Sequence, residues 1–271
     1  MSKLTNENYF SPEMALEYMS VSQYKEFMRC ETEAMAALEG KVVKQDSTAI
    51  LVGSYIDSYF EGTLEQFKEE HPEIISSRGA TKGELKADYK HADVIIERIE
   101  RDPLFMKYMS GQKQVIETAE LFGCKWKIKI DSLNPDSIVD LKIMKDMFQV
   151  WCNGSKVSFI EAWGYDIQLA IYQKVHELVT GEHLPVYVCC ATKEEVPDLA
   201  VIHIPDWRLE ECLEEVEKHM PRILAVKNAE VEPSRCGRCN YCKETKLLTE
   251  PIDFQLVGMS ADQIEMMQGT V

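Results

Sequence analysis

Lys127-Ile-Lys-Ile-Asp131, followed by Asn134-Pro-Asp136 and then Ile138-Val-Asp140-Leu-Lys142, is the stretch of sequence that decides the fold. Polar and β-branched residues alternate on either side of a turn signal, which predicts two neighbouring antiparallel strands. Asp131 ends the first strand and Asp140 lies in the second, so their carboxylates can meet. Asp140 and Lys142 are two residues apart and therefore project from the same face of their strand.

Two carboxylates beside a lysine predict a site that hydrolyses phosphodiesters. A hard cation such as Mg²⁺ prefers oxygen ligands and keeps several waters, so Asp131, Asp140 and the backbone carbonyl of Leu141 suffice to bind it. Such a cation polarises a phosphoryl oxygen and acidifies a bound water, while Lys142 orients that water or stabilises charge on the phosphate. An isolated Asp-x-Lys is common, and the polar face of an ordinary strand is the alternative interpretation.

The surrounding pattern predicts an α/β protein. Apolar periodicity indicates helices over 11–38, broken near Ser20 with an N-cap at Ser22, then from about Asp46 to Phe60, and over 81–101. Alternating runs at 114–122, 125–131 and 137–142 predict an antiparallel meander. A helix over 163–179, strands at 184–192 and 199–204 and a charged helix over 207–225 complete the order. This order fits one mixed sheet flanked by helices, with an amino-terminal helical extension.

The predicted helix after the meander carries Gln168 and Tyr172, which are one turn apart and share a face. Together with Asp131, Asp140 and Lys142, this Gln-x-x-x-Tyr pattern resembles the core of the PD-(D/E)XK nucleases, and specifically the RecB-like and phage RecE-like exonucleases. The resemblance covers roughly residues 14–245. It implies a restriction-endonuclease-like fold, Mg²⁺ or Mn²⁺ as cofactor, DNA as substrate, and a helix that contacts the DNA or supports the site through Gln168 and Tyr172.

Two further positions follow from the same resemblance. The RecE-like proteins have Gly-x-x-x-His on an early helix, with the histidine reaching the metal, whereas this chain has Gly53-Ser-Tyr-Ile-Asp57. A carboxylate also ligates Mg²⁺ or Mn²⁺, so Asp57 is a candidate ligand, and a solvated helix residue is the alternative. The family also places a glutamate on the first strand of the meander. Glu117 is the candidate, ahead of Glu120.

A cluster of thiols forms the second constellation, Cys236-Gly-Arg-Cys239-Asn-Tyr-Cys242. Thiolates at this spacing bind soft or borderline metals well. The segment from Ser20 to Cys30 resembles the amino-terminal pattern of RecB-like nucleases with an iron-sulfur staple, such as AddB-type proteins, although the late spacing here is tighter. That resemblance implies Cys30, Cys236, Cys239 and Cys242 as ligands of a 4Fe-4S cluster. A Zn²⁺ site and free thiols remain the alternatives.

The chain has 271 residues, 45% of them hydrophobic, and a formal net charge of -16. This charge argues against coating nucleic acid by bulk electrostatics, but an enzyme can confine positive potential to a cleft. One domain over 1–271 is expected, with a mainly helical part at 1–110, the catalytic core and cysteine cluster at 111–245, and a tail at 246–271. No apolar run is long enough to cross a bilayer and no signal-peptide core is present, which predicts a cytoplasmic protein without membrane association.

Three functions are compatible with these patterns. The first is an exonuclease that degrades DNA, most simply from duplex ends, in phage-type recombination or repair, supplying single strands to an annealing protein. The second is a DNA-binding module that keeps the fold but has impaired catalysis, which the aspartate at position 57 and the acidic composition favour. The third is a metal-cluster protein without a nuclease role. Rings, monomers and larger assemblies all occur in this class, so an oligomer is compatible with the sequence.

Overall fold

The computed structural model describes residues 4–42, 47–152, 154–249 and 251–259. Its helices are α1 (Pro12–Glu17), α2 (Val21–Arg29), α3 (Glu31–Leu38), α4 (Thr48–Glu61), α5 (Leu64–Glu70), α6 (Ala87–Glu100), α7 (Pro103–Tyr108), α8 (Phe159–Ala162), α9 (Tyr165–Thr180), α10 (Asp206–Lys227) and α11 (Asn240–Glu244). Its strands are β1 (Val115–Leu121), β2 (Cys124–Ile130), β3 (Ser132–Asn134), β4 (Ser137–Met144), β5 (Val150–Cys152), β6 (Ser155–Val157), β7 (Val186–Thr192) and β8 (Leu199–Ile204). Short 3-10 turns lie at Pro72–Ile74 and Phe254–Leu256.

The central sheet is mixed and has the strand order β3-β4-β7-β8. β4 runs parallel to β7, and both outer pairs, β3 with β4 and β7 with β8, are antiparallel. β7 consists almost entirely of buried residues, as expected for a strand covered on both faces. The crossover from β4 to β7 contains α9, so the parallel pair places this helix directly over the sheet.

Two hydrophobic cores pack against opposite faces of this sheet, because side chains alternate along each strand. Ile138 and Val188 belong to the core shared with α2, α9, α10 and the β1–β2 hairpin. Val139 and Leu141 belong to the core shared with α4, α6 and α7. Asp140, between Val139 and Leu141, therefore faces the α9 side. The α/β architecture, the mixed sheet between helices and the amino-terminal helices are as predicted.

Several local predictions were wrong. The meander is divided, because β1 and β2 form their own antiparallel sheet while β3, which continues β2 after Asp131, joins the central one. The cap of α2 is Ser20, whose hydroxyl accepts from the Gln23 amide, and Ser22 lies within the helix. The helix predicted from residue 81 begins at Ala87, because the preceding turn brings Leu85 into a β-bridge with Ile75. Asp46, Glu250 and residues 260–271 lie outside the described residues.

The amino-terminal helices pack against the carboxy-terminal part of the described chain. Glu31 at the start of α3 accepts from the guanidinium of Arg222 at 3.0 and 2.8 Å, and from the Ser234 amide at 2.7 Å. The Thr32 hydroxyl donates to the Ser234 carbonyl at 2.8 Å. These contacts bring the α2–α3 junction beside the segment that follows α10. Among the described helices, none combines the length and apolar character needed to span a bilayer.

Candidate active site and cysteine cluster

The chain bends at Asp131, between β2 and β3, and this bend directs the carboxylate toward β4. Its Oδ2 accepts a hydrogen bond of 2.9 Å from the backbone amide of Leu141. Asp140 precedes Leu141 and is 1% exposed. Lys142 follows on the same strand face, with its Nζ 2.6 Å from Asp140 Oδ2. The structure therefore brings together the two aspartates and the lysine that the sequence predicted.

The helices on either side of the sheet complete this group. Gln168, in the first turns of α9, donates from Nε2 to Asp140 Oδ1 at 2.6 Å. Tyr172 is one turn further along α9 and lines the same cavity as Asp131. Asp57 reaches the group from α4, where it lies close enough to Asp131 and Lys142 for their charges to influence it. Each carboxylate of the group comes from a different element, so only the folded chain assembles it.

Negative charge exceeds positive charge in this group. Burial, and then the neighbouring Asp140, raise the pKa of Asp131 to about 7. Burial and Asp131 likewise raise the pKa of Asp57 well above its usual value. Burial alone would lower the pKa of Lys142, but Asp140 and Asp131 outweigh it and raise that pKa. The group thus contains three carboxylates and only one lysine. A bound divalent cation would stabilise this arrangement, because it favours the ionised forms of the carboxylates.

The donor set fits a hard cation. Asp57, Asp131 and Asp140 supply carboxylate oxygens, and hydrogen bonds from neighbouring groups hold two of them in place. Oxygen donors of this kind, with room left for water, are what Mg²⁺ and Mn²⁺ require. The peptide group of Leu141 lies beside Asp131, which is compatible with the predicted role of the Leu141 carbonyl as a metal ligand. That role stays a prediction.

Glu117, which the sequence analysis proposed as a catalytic residue, contacts a histidine on α9. Both of its carboxylate oxygens are 3.0 Å from Nδ1 of His176 on α9. Among the described residues, no hydrogen bond or ion pair joins Glu117 to Asp131 or Asp140. Glu120 is exposed on the same strand. The structure thus gives Glu117 a contact with the helix that carries Gln168, and its assignment as a catalytic residue stays a prediction.

Glu61 is an acidic residue of the site that the sequence analysis missed. It lies one turn after Asp57 on α4, lines the cavity that contains Asp131, and accepts a hydrogen bond from Gln114. Burial raises its pKa, and its charge contributes to the raised pKa of both Asp57 and Asp131. The spacing of four residues from Asp57 was the available signal, since residues one turn apart share a helix face.

Two cavities meet at the carboxylates. One of about 1040 Å³ is lined by Asp131, Gln168 and Tyr172 and opens toward the amino-terminal segment. The other, of about 670 Å³, is lined by Lys142 and by the segment that leads into α9. Ser54 and Asp57 on α4 line both cavities. The catalytic candidates therefore lie beside two openings that share Ser54 and Asp57, each large enough for a nucleotide.

The four cysteines predicted as ligands come together. Sγ atoms of Cys30, Cys236, Cys239 and Cys242 all lie within 4.8 Å of one another. Backbone amides of Arg238 and Cys239 donate to Cys236 Sγ at 3.4 and 3.3 Å. Although burial raises the pKa of Cys236, these amides outweigh it and lower that pKa to about 6. A thiolate is the ligating form of cysteine, so four thiols at this separation fit a structural metal centre.

Comparison with known proteins identifies the family to which the chain belongs. A family model described as a PDDEXK-like domain of unknown function (DUF3799) matches residues 20–245. A solved structure from Eubacterium rectale, described as a "putative exonuclease", is 51% identical and has a TM-score of 0.90, with 96% of this chain and 100% of that chain covered. No curated protein matches the chain. Because the family model spans most of the sequence, the chain belongs to the PDDEXK-like family DUF3799, within the PD-(D/E)XK nuclease superfamily.

Proposed function

We propose that this protein is a Mg²⁺- or Mn²⁺-dependent deoxyribonuclease that hydrolyses phosphodiester bonds from DNA ends. The observation that carries the proposal is the convergence of Asp131, Asp140 and Lys142 with Gln168 between two openings of nucleotide size. Exonuclease action is supported by the description of the similar Eubacterium rectale structure. A role in phage-type recombination or repair, beside a single-strand annealing protein, is the corresponding biological proposal.

The residues of the site have separate tasks in this reaction. A bound divalent cation would supply Lewis acidity and an acidified water. Lys142 carries a positive charge that Asp140 and Asp131 maintain against burial, so it stabilises negative charge as it develops on the phosphate. Gln168 fixes the orientation of the Asp140 carboxylate through Oδ1. Asp57 provides a carboxylate where related proteins have histidine, which favours a hard cation.

An acidic protein can still bind DNA at this site. The net charge is -16, yet Lys113, Lys127 and Lys129 line the larger cavity and Lys142, Lys145 and Lys193 line the smaller one. Six carboxylates line the larger cavity beside its three lysines, so these lysines offer separate contacts for phosphates within an acidic lining. A divalent cation bound by the aspartates would offset part of the negative charge, and the lysines would then pair with phosphates despite the overall charge.

We propose that the cysteine cluster, Cys30 with Cys236, Cys239 and Cys242, holds a 4Fe-4S cluster. Zn²⁺ bound by the same thiolates is the alternative, because it also takes four cysteines. Either metal would stabilise the junction of α2 and α3 against the segment before α11, more than 200 residues away in sequence. Iron, sulfide and zinc analysis of the purified protein distinguishes the two. Cys239→Ser is expected to lower the bound metal, and unchanged metal content would contradict the assignment.

The nuclease proposal is tested with end-labelled linear duplex DNA in Mg²⁺, in Mn²⁺ and without divalent metal. Wild-type protein should remove the label only with metal, and Lys142→Ala should reduce the rate about a hundredfold or more. Lys90→Ala is the matched control, because it also removes a lysine but lies on the exposed outer part of α6. Covalently closed circular DNA should resist, and its cleavage at the same rate would indicate an endonuclease.

A second candidate function is a DNA-binding module with impaired catalysis, and Asp57 in the place of the usual histidine favours it. In that case the folded wild-type protein would bind the same DNA but release no label in any metal. Asp57→His should then restore cleavage, since it supplies the ligand that related nucleases use. Metal-dependent cleavage by the wild type excludes this alternative.

A further inference from the structure

Two exposed aromatic side chains flank the catalytic candidates, one at each opening. Phe10 lines the larger cavity and is 81% exposed. Trp163 lines the smaller cavity and is 55% exposed. Other rings of the described chain are also exposed, but these two line the openings on either side of one site, where they suit a ligand that offers flat apolar faces.

Phe10 is exposed although the chain around it is anchored. Its neighbour Tyr9 is buried, donates from its hydroxyl to the Lys127 carbonyl at 3.3 Å, and accepts from Lys127 Nζ through its own carbonyl. Lys129 Nζ lies 5.4 Å from the centre of the Phe10 ring. The ring is thus held at the opening, with a positive charge beside it that can meet a phosphate.

Trp163 is anchored in a comparable way. Its carbonyl accepts from Lys25 Nζ at 2.9 Å, and the next residue, Gly164, turns the chain with φ of +62° before α9 begins. Gln168, which contacts Asp140, is one turn into that helix. The position of Trp163 relative to the carboxylates is therefore fixed by a rigid element. Lys145 and Lys193 line the same opening.

We propose that a single strand of DNA passes between the two openings, with its bases stacked on Phe10 on one side of the carboxylates and on Trp163 on the other. Every base has a π face, so such stacking tolerates any sequence, while lysines beside each ring meet the phosphates. Bases of an intact duplex are covered by their own neighbours. The substrate must therefore be unpaired where it crosses the site. This inference rests on the proposed nuclease function and adds that the site accepts single-stranded rather than double-stranded DNA.

The test measures binding rather than cleavage, in a Lys142→Ala background with Mg²⁺, so that the DNA stays intact and the carboxylates are retained. A fluorescent single-stranded oligonucleotide should bind, and Phe10→Ala and Trp163→Ala should each weaken its binding about tenfold. Phe254→Ala and Trp207→Ala are the matched controls, since these rings are 82% and 63% exposed and line neither opening. Both controls should leave the affinity unchanged.

A second readout identifies the stacking directly. Unlabelled oligonucleotide should quench tryptophan fluorescence, and Trp163→Phe should abolish most of that quenching while keeping the affinity, because phenylalanine still stacks but emits little. No binding of the oligonucleotide, unchanged affinity in both alanine variants, or an equal loss for blunt duplex would each overturn the proposal. Failure of the nuclease proposal is seen separately, as intact DNA in the wild-type cleavage assay.

Discussion

Replacing Asp131 by asparagine should stabilise the protein in Mg²⁺-free buffer, even though it removes a residue of the proposed metal site. Burial and the charge of Asp140 raise the pKa of Asp131 from 3.8 to about 7. Its ionisation therefore destabilises the folded state, and this cost is absent below pH 3.8, grows up to about pH 7 and is complete above it. Asparagine keeps an oxygen that can accept from the Leu141 amide, but carries no charge.

The expected size follows from the pKa. At about 1.4 kcal/mol per pH unit, the raised pKa of Asp131 lowers the folding stability by about 4 kcal/mol at pH 8 and by about 2 kcal/mol at pH 5, where only the unfolded carboxyl is largely ionised. The first figure is an upper limit, because Asp131 is only partly shielded from solvent and water screens its charge. A gain of this size corresponds to a rise in melting temperature of roughly 10 °C at most.

The assay is thermal and urea unfolding of the wild type and Asp131→Asn at pH 5 and pH 8, each with and without Mg²⁺. The variant should be more stable without Mg²⁺, more clearly at pH 8, and Mg²⁺ should stabilise the wild type but not the variant. Glu210→Gln removes one negative charge from an exposed site and is the control for net charge. If Asp131→Asn were less stable than the wild type at pH 8 without Mg²⁺, the repulsion argument would be refuted.

Three further predictions concern the supporting contacts. Gln168→Ala should lower kcat about tenfold or more, since it removes a hydrogen bond to the charged Asp140, as single-turnover cleavage would measure. Cys30→Ser should lower both the metal content and the melting temperature, because it removes the one ligand that comes from the amino-terminal helices. Arg208→Ala should cost about 3–5 kcal/mol of folding free energy in urea unfolding, because the Asp166 side chain is 1% exposed and its Oδ2 would lose both hydrogen bonds from Arg208.

Controls distinguish these effects from general damage. Cys152→Ser changes a cysteine outside the cluster and should leave the metal content unchanged. Arg98→Ala breaks an exposed pair with Asp102 at 4.0 Å, for which less than about 1 kcal/mol is expected. Equal losses in Arg98→Ala and Arg208→Ala would contradict the role of burial. Normal turnover in Gln168→Ala would show that Asp140 needs no fixed orientation.

The alternation of residues along the strand predicted the position of the site, because it determines which neighbouring side chains share a face without reference to the rest of the fold. Asp140 and Lys142 had to share a face wherever their strand lay, and the structure pairs them at 2.6 Å. Gln168 and Tyr172 had to share a helix face for the same kind of reason. Predicting that this helix face meets that strand face required a recognised family pattern, because periodicity within one element does not determine which elements pack together.

Glu117 and Glu61 show where such reasoning stops. Alternation places Glu117 on one face of β1, but the hairpin of β1 and β2 is a separate sheet, and the partner of that face is His176 on α9. Glu61 is unremarkable in the sequence and reaches Asp131 only because α4 packs over β4. Both contacts depend on how helices and strands pack together. That packing is determined by the apolar surface buried in the two hydrophobic cores rather than by any short sequence motif.

The acidic composition and the proposed activity are compatible because the structure separates two kinds of carboxylate. Glu210, Glu214 and Glu217 lie on the exposed face of α10, where water and salt screen them and their effect on a distant phosphate is small. Asp57, Asp131 and Asp140 are grouped beside two cavities, and Lys142 offsets only part of their mutual repulsion. The proposed metal binding would convert the second group from a source of instability into a site that attracts phosphate. DNA affinity should therefore depend on the divalent cation far more than the net charge suggests.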